Sequence, residues 1–183
     1  ERLLEQDYHV LALDNLLTGH RKAIHPEAEF VLGDATSIED LETVFGHYDV
    51  DAVIHLAAKT LVNESLADPI EYFESNSVGG IRVVQSMLKH KVASIVFSST
   101  AAVYGEPEMI PIDEDHPRHP LNPYGESKLA FEQALKWCSS AYGLKCSVFR
   151  YFNAAGATES HGEYHSPETH LIPLVLRVAL GLE

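Results

Sequence analysis

Apolar runs of strand length alternate along the chain with stretches in which apolar residues recur every three or four positions. The runs at 8–13, 30–32, 52–56, 94–97 and 146–151 predict five strands. Helical spacing at 38–45, 69–90 and 123–142 predicts helices between them, with Ser37 and Asp68 as N-terminal caps. Hydrophobicity within the strands is continuous rather than alternating, so both faces are expected to be covered, as in a parallel sheet wrapped by helices. The predicted fold class is α/β, a doubly wound parallel sheet of Rossmann-like type. No internal repeat and no Gly/Ser-rich linker interrupts it. Two long irregular stretches, 106–123 and 158–170, are expected to be functional, because loops of that length inside a compact domain usually are.

Composition adds a bound. With 183 residues, 45% hydrophobic and 22% charged, the chain can bury one real core. A net charge of −14 repels phosphate backbones and anionic lipid alike, so neither nucleic acid nor a membrane surface is expected as a partner. A small molecule is left. Cys138 and Cys146 lack Cys-x-x-Cys spacing and sit where thiols act as small hydrophobes, which suits a reducing compartment, the cytoplasm. No apolar run is long enough to cross a bilayer. The first residue is Glu1 rather than Met, and the true start is expected to lie upstream.

In a doubly wound sheet, ligands bind at the carboxyl ends of the strands. The first strand runs into Asp14-Asn15, and a carboxylate there can accept hydrogen bonds from both hydroxyls of an adenosine ribose while repelling a 2′-phosphate, which favours NAD over NADP. The second leads to Gly33-Asp34-Ala35, where Asp34 could accept from an adenine amino group. The third ends in His55-Leu56-Ala57-Ala58, whose alanines leave room for a cofactor across the strand ends. Each of these also has an ordinary reading as a turn or a packing contact. The fourth strand delivers the hydroxyls of Ser98, Ser99 and Thr100, and about 25 residues later comes Tyr124-x-x-x-Lys128. Tyr and Lys four apart on a helix share a face, so the ammonium can stabilise the phenolate.

Together these features match the short-chain dehydrogenases/reductases, and the motifs resemble one branch of them, the UDP-galactose 4-epimerases. The resemblance rests on Asp14-Asn15-Leu16, Gly33-Asp34, Ile54 to Ala58, Phe97 to Gly105, Pro123 to Lys128, Arg150 to Asn153 and Thr169 to Pro173, in the family's order. It implies bound NAD, a UDP-sugar substrate, and interconversion of UDP-glucose and UDP-galactose by oxidation at C4 and re-reduction on the opposite face. By this resemblance Thr100 would hydrogen-bond the sugar's 4-hydroxyl, Tyr124 would be the base, and Lys128 would orient the nicotinamide ribose. Phe152 would lie beside the nicotinamide, Asn76 would support the site, and Ser98, Leu56, Ala57, Ala58, Asp14, Asn15, Asp34 and Ala35 would line the cofactor. Asn153, His170 and Leu171 would touch the substrate's diphosphate and uridine side. The family also implies a homodimer built from the helices at 69–90 and 123–142, each of which carries a second apolar stripe.

Two departures stand out. The family's opening glycine-rich turn is absent, and residues 1–6 look like the last turns of the helix that would follow it. The expected organisation is therefore an N-terminally truncated NAD-binding domain over 1–167 and the start of a smaller sugar-nucleotide domain over 168–183. Lys59-Thr60 also differ from the family pattern, and no role is assigned to them. Another UDP-sugar 4-epimerase would keep the same motifs. A 4,6-dehydratase would need an acidic pair where Ala101-Ala102 stand. An inactive NAD-sensing scaffold would be expected to have lost Tyr124 or Lys128. No metal is expected: His161, Glu163, His165, Glu168 and His170 crowd one loop, but their spacing fits no helical zinc motif or knuckle.

Overall fold

The computed structural model describes residues 1–165, 168 and 170–182. Pro167, the expected end of the first domain, Thr169 of the quoted motif, and Glu183 lie outside the described residues. The elements run β1 (Leu11–Asp14), β2 (Glu29–Leu32), α1 (Ile38–His47), β3 (Val53–His55), α2 (Val62–Ala67), α3 (Pro69–Tyr72), α4 (Gly79–Lys89), β4 (Ser94–Thr100), α5 (Pro123–Tyr142), β5 (Lys145–Tyr151) and α6 (Leu171–Ala179). All strand pairs are parallel, as the unbroken hydrophobicity of the strands predicts.

The α/β, Rossmann-like arrangement of parallel strands and flanking helices expected above is present, with the strands among the described residues in two sheets. β1 pairs only with β2, and β3, β4 and β5 make a second sheet in that order. Among the described residues no ladder joins β1 to β3, so side-chain packing has to hold the halves together. Leu13 of β1 and Ala35 pack against the main core, built from Leu41 and Phe45 of α1, Val83 and Met87 of α4, Phe97 of β4 and Phe131 and Leu135 of α5. Each such side chain contributes about 1.5–3 kcal/mol by leaving water. Arg82 of α4 adds a clasp by donating to the Thr36 carbonyl at 2.8 Å.

The helix starts follow from local chemistry. Ser37 Oγ accepts from Asp40 N at 3.2 Å, and Asp68 Oδ1 accepts from Glu71 N at 3.2 Å ahead of Pro69. Asn122 Oδ1 accepts from Gly125 N at 2.8 Å before Pro123, and α5 stops where Gly143 takes a left-handed φ of 71°. The single helix predicted over 69–90 is instead α3 and α4 joined by a π-helical turn, Phe73–Val78. That wider turn carries Asn76 and Ser77, both buried, and their polar groups bond outside their own helix. α2 is only six residues long, too short for periodicity to reveal it. No helix among the described residues is long and apolar enough to cross a membrane.

Candidate active site

β4 hands its chain to a tight 3-10 turn, Ala101–Val103, which Thr100 caps by accepting from Ala102 N at 3.1 Å. The N-terminus of α5 docks on that turn. A Cβ at Gly125 would lie 2.7 Å from the Ala102 carbonyl oxygen, so only glycine lets the helix come this close. The neighbouring Tyr124 is half-buried, with its ring edge-on to Tyr72 at 6.4 Å.

One turn along α5, Lys128 is 3% exposed, donates from Nζ to the Ser98 carbonyl at 2.8 Å, and lies 4.9 Å above the Phe97 ring. Burial pulls its pKa down to about 8. α5 and β4 are thereby locked together at the point where the strand's hydroxyls emerge. Asn76, 1% exposed, braces the same place from behind. It accepts from Lys59 N at 2.9 Å and donates to Lys59 O at 3.0 Å and to Ser127 Oγ at 3.1 Å. Ser77 donates to the Ser127 carbonyl at 2.8 Å. Asn76 thus ties α5 at Ser127 to the backbone of Lys59, a residue given no role from sequence.

At the other sheet, Asp14 ends β1 and accepts from Leu16 N at 2.6 Å through Oδ1, while its Oδ2 has no hydrogen bond among the described residues. Asn15 donates to Asp34 at 3.2 Å. Burial works against the Asp34 carboxylate, but hydrogen bonds from Thr36 and Asn15 outweigh it and hold the pKa below the ordinary value. Leu56 and Ala57 follow β3 exposed, with Ala58 and Ala35 half-buried. These are the cofactor-side residues expected from sequence, open at the carboxyl ends of their strands.

Phe152 is exposed and stacks on Tyr104 at 6.4 Å. Asn153 and Leu171 are exposed, and His170 pairs with Glu168 at 2.8 Å. No hydrogen bond or ring contact among the described residues links these last three to Thr100, Tyr124 or Lys128. The loop does gather Glu163, His165, Glu168 and His170 so that one ligand atom from each lies within 4.8 Å of the others, which their sequence spacing did not suggest. His165 and His170 lie against Glu163 and Glu168, and the two imidazole rings meet at 4.8 Å.

Sequence reasoning also passed over a buried polar network. Glu132, 6% exposed, accepts from Ser99 Oγ at 2.5 Å and from Arg150 at 2.8 Å, and Arg150 donates to the Tyr104 hydroxyl at 2.9 Å. The signal was available: Tyr124, Lys128 and Glu132 follow at four-residue steps and share a helix face.

The family model described as "NAD dependent epimerase/dehydratase family" matches residues 1–182. The UDP-glucose 4-epimerase of Halalkalibacterium halodurans is 53% identical over 181 residues, covering 98% of this chain and 54% of the relative. A crystal structure of a UDP-glucose 4-epimerase superposes with a TM-score of 0.96 at 45% identity, over 100% of this chain and 56% of that one. The Bifidobacterium longum UDP-glucose 4-epimerase, solved in complex with NAD+ and UDP, gives a TM-score of 0.92 at 37% identity, over 98% of this chain and 57% of that one. The chain thus spans about half the length of the curated relatives it matches.

Proposed function

Because the chain belongs to the NAD dependent epimerase/dehydratase family, we propose that the whole protein interconverts UDP-glucose and UDP-galactose using bound NAD. The observation that carries this is Lys128, buried under the strand end and fixed to Ser98 one helical turn from Tyr124, in a chain whose relatives are named UDP-glucose 4-epimerases. The donor set suits NAD: Asp14 keeps a carboxylate oxygen available for a ribose hydroxyl and sets a like charge against a 2′-phosphate. Asp34, Leu56, Ala57 and Phe152 would hold the rest. Bound there, NAD would supply the hydride acceptor and donor for C4. Tyr124, as phenolate, takes the proton of the 4-hydroxyl and later gives it back. Lys128 stabilises that phenolate with its charge, and Thr100 steadies the 4-oxygen with its hydroxyl. Asn153 of the NAD-binding domain, and His170 and Leu171 of the smaller domain that begins after residue 167, would hold the diphosphate and uridine.

Two coarser properties belong to the same reading. A homodimer is supported by Ile70, Phe73 and Ile81, exposed along α3, the π turn and α4, and by Trp137 on α5. A cytoplasmic setting is supported by two free cysteines. The test is a UDP-galactose to UDP-glucose assay on the full-length protein with no NAD added. Wild type should turn over and Tyr124→Phe should lose several orders of magnitude, on the order of 10³ or more. Equal turnover of the two proteins refutes the reading. Copurifying NADP in place of NAD would refute the role of Asp14.

A further inference from the structure

Glu132 is a carboxylate in the protein interior with two hydrogen-bonded arms and, at 3.7 Å, the half-exposed Arg118 as a second cation. One reaches Ser99 Oγ at 2.5 Å, and Ser99 lies between Ser98, whose carbonyl holds Lys128, and Thr100. The other is Arg150, which grips both carboxylate oxygens, at 3.1 Å from Nε and 2.8 Å from Nη2. Arg150 continues outward to the Tyr104 hydroxyl at 2.9 Å, with its guanidinium 5.2 Å above the Tyr104 ring, and that ring stacks on Phe152. The hydrogen bond to Glu132 is the largest influence raising the Arg150 pKa, so the guanidinium stays charged.

We propose that Glu132 is a positioning residue of the reaction, setting through Ser99 and through Arg150 and Tyr104 the distance between the Thr100 strand end and the Phe152 side of the site. The proposal rests on the epimerase reading above. A buried ion pair gains little stability over apolar residues of the same shape, so its energetic return is poor for a purely structural clamp. Its geometric return is high. Glu132 lies two turns beyond Tyr124 and one beyond Lys128 on a single helix face, so the helix carrying base and cation is registered against both the hydroxyl strand end and the aromatic wall.

The experiment uses the full-length enzyme and four variants, Glu132→Gln, the paired Glu132→Gln/Arg150→Met, Ser99→Ala and Tyr104→Phe. Measured are kcat, KM for UDP-galactose, bound NAD per subunit and the thermal midpoint. Glu132→Gln is expected to lose about 10- to 100-fold in kcat with KM and NAD content little changed, as small misplacements of reacting groups do. The paired variant, which buries no lone charge, should regain thermal midpoint without regaining kcat. Ser99→Ala and Tyr104→Phe, which leave the ion pair intact and are milder for folding, should each lower kcat by about 3- to 10-fold. Unchanged kcat in both mild variants overturns the proposal, as does a paired variant that recovers kcat along with stability. The wild-type rate in the same assay tests the epimerase reading by itself.

Discussion

His55 ends β3 at 5% exposure, stacked on Phe97 at 5.9 Å and edge-on to Phe131 at 5.7 Å, and its Nε2 has no hydrogen-bond partner among the described residues. Burial first, and the Lys128 charge second, push its pKa from 6.5 down to about 4. Above pH 6.5 the ring is neutral in both folded and unfolded chains. Between 6.5 and 4 the unfolded chain binds the extra proton, so stability falls as pH falls, by up to about 3 kcal/mol. Thermal midpoints of wild type and His55→Gln across pH 4 to 7.5 check this: the wild-type slope should be the steeper, and parallel curves would show that His55 does not titrate there. Lys128 has the same sense at the other end, since its pKa falls from 10.5 to about 8. Between those values the unfolded chain holds more protons and stability rises with pH, while, on the proposed role of Lys128, kcat should fall above about pH 8 as the ammonium one turn from Tyr124 is lost. A kcat flat to pH 10 would separate Lys128 from the chemistry. Tyr124 and Lys128 were legible in sequence because their relation is local, four positions on one helix. The unpaired Nε2 of His55 and the hydroxyl of Ser99 turned to Glu132 were not, because both depend on which strand lies under which helix.

At the scale of elements, the site depends on how closely α5 can approach. Gly125 meets the Ala102 carbonyl, and Gly80 of α4 meets Phe131, where an added Cβ would come within 2.7 Å of the ring. Gly80→Ala should therefore cost about 1–3 kcal/mol of stability with kcat preserved in the folded fraction. Gly125→Ala should lower kcat by about 10-fold or more as well, because it moves the end of the helix that bears Tyr124. Thermal melts paired with kcat check the contrast, and equal kcat losses in the two variants would count against it. Caps and proline made the helix starts readable, at Ser37 and Asp68 above all. The π turn was unreadable for a related reason. One extra residue per turn shifts the periodicity that defines a helical stripe, and what stabilises the shift, Asn76 and Ser77 bonded to Lys59 and Ser127, is tertiary.

For the whole molecule, parallel pairing followed from unbroken apolar strands, but the expected cover on both faces does not hold, since most of β5 and Ile54 of β3 are exposed, and the division into two sheets was not legible, because hydrophobicity says nothing about which strands are neighbours. Large apolar side chains stand open on β3 at Ile54, on β5 at Phe149 and Tyr151, and along α6 at Leu171, Val175 and Val178. Residues 1–183 expressed alone should therefore self-associate, and sedimentation velocity at rising concentration checks this. A sharp monomer peak throughout would contradict it. Among the described residues no ladder joins β1 to β3, and for residues 1–183 expressed alone this has a further consequence, for hydrogen exchange. In that chain the pair β1–β2 can swing open without breaking a ladder bond to the other sheet, so its amides should exchange ahead of those of β4. A dinucleotide lying from Asp14 to Tyr124 would span both opening units and act as a thermodynamic crosslink. At a hundredfold excess over its dissociation constant, it would slow exchange in β1–β2 by about a hundredfold, the equivalent of about 2.7 kcal/mol.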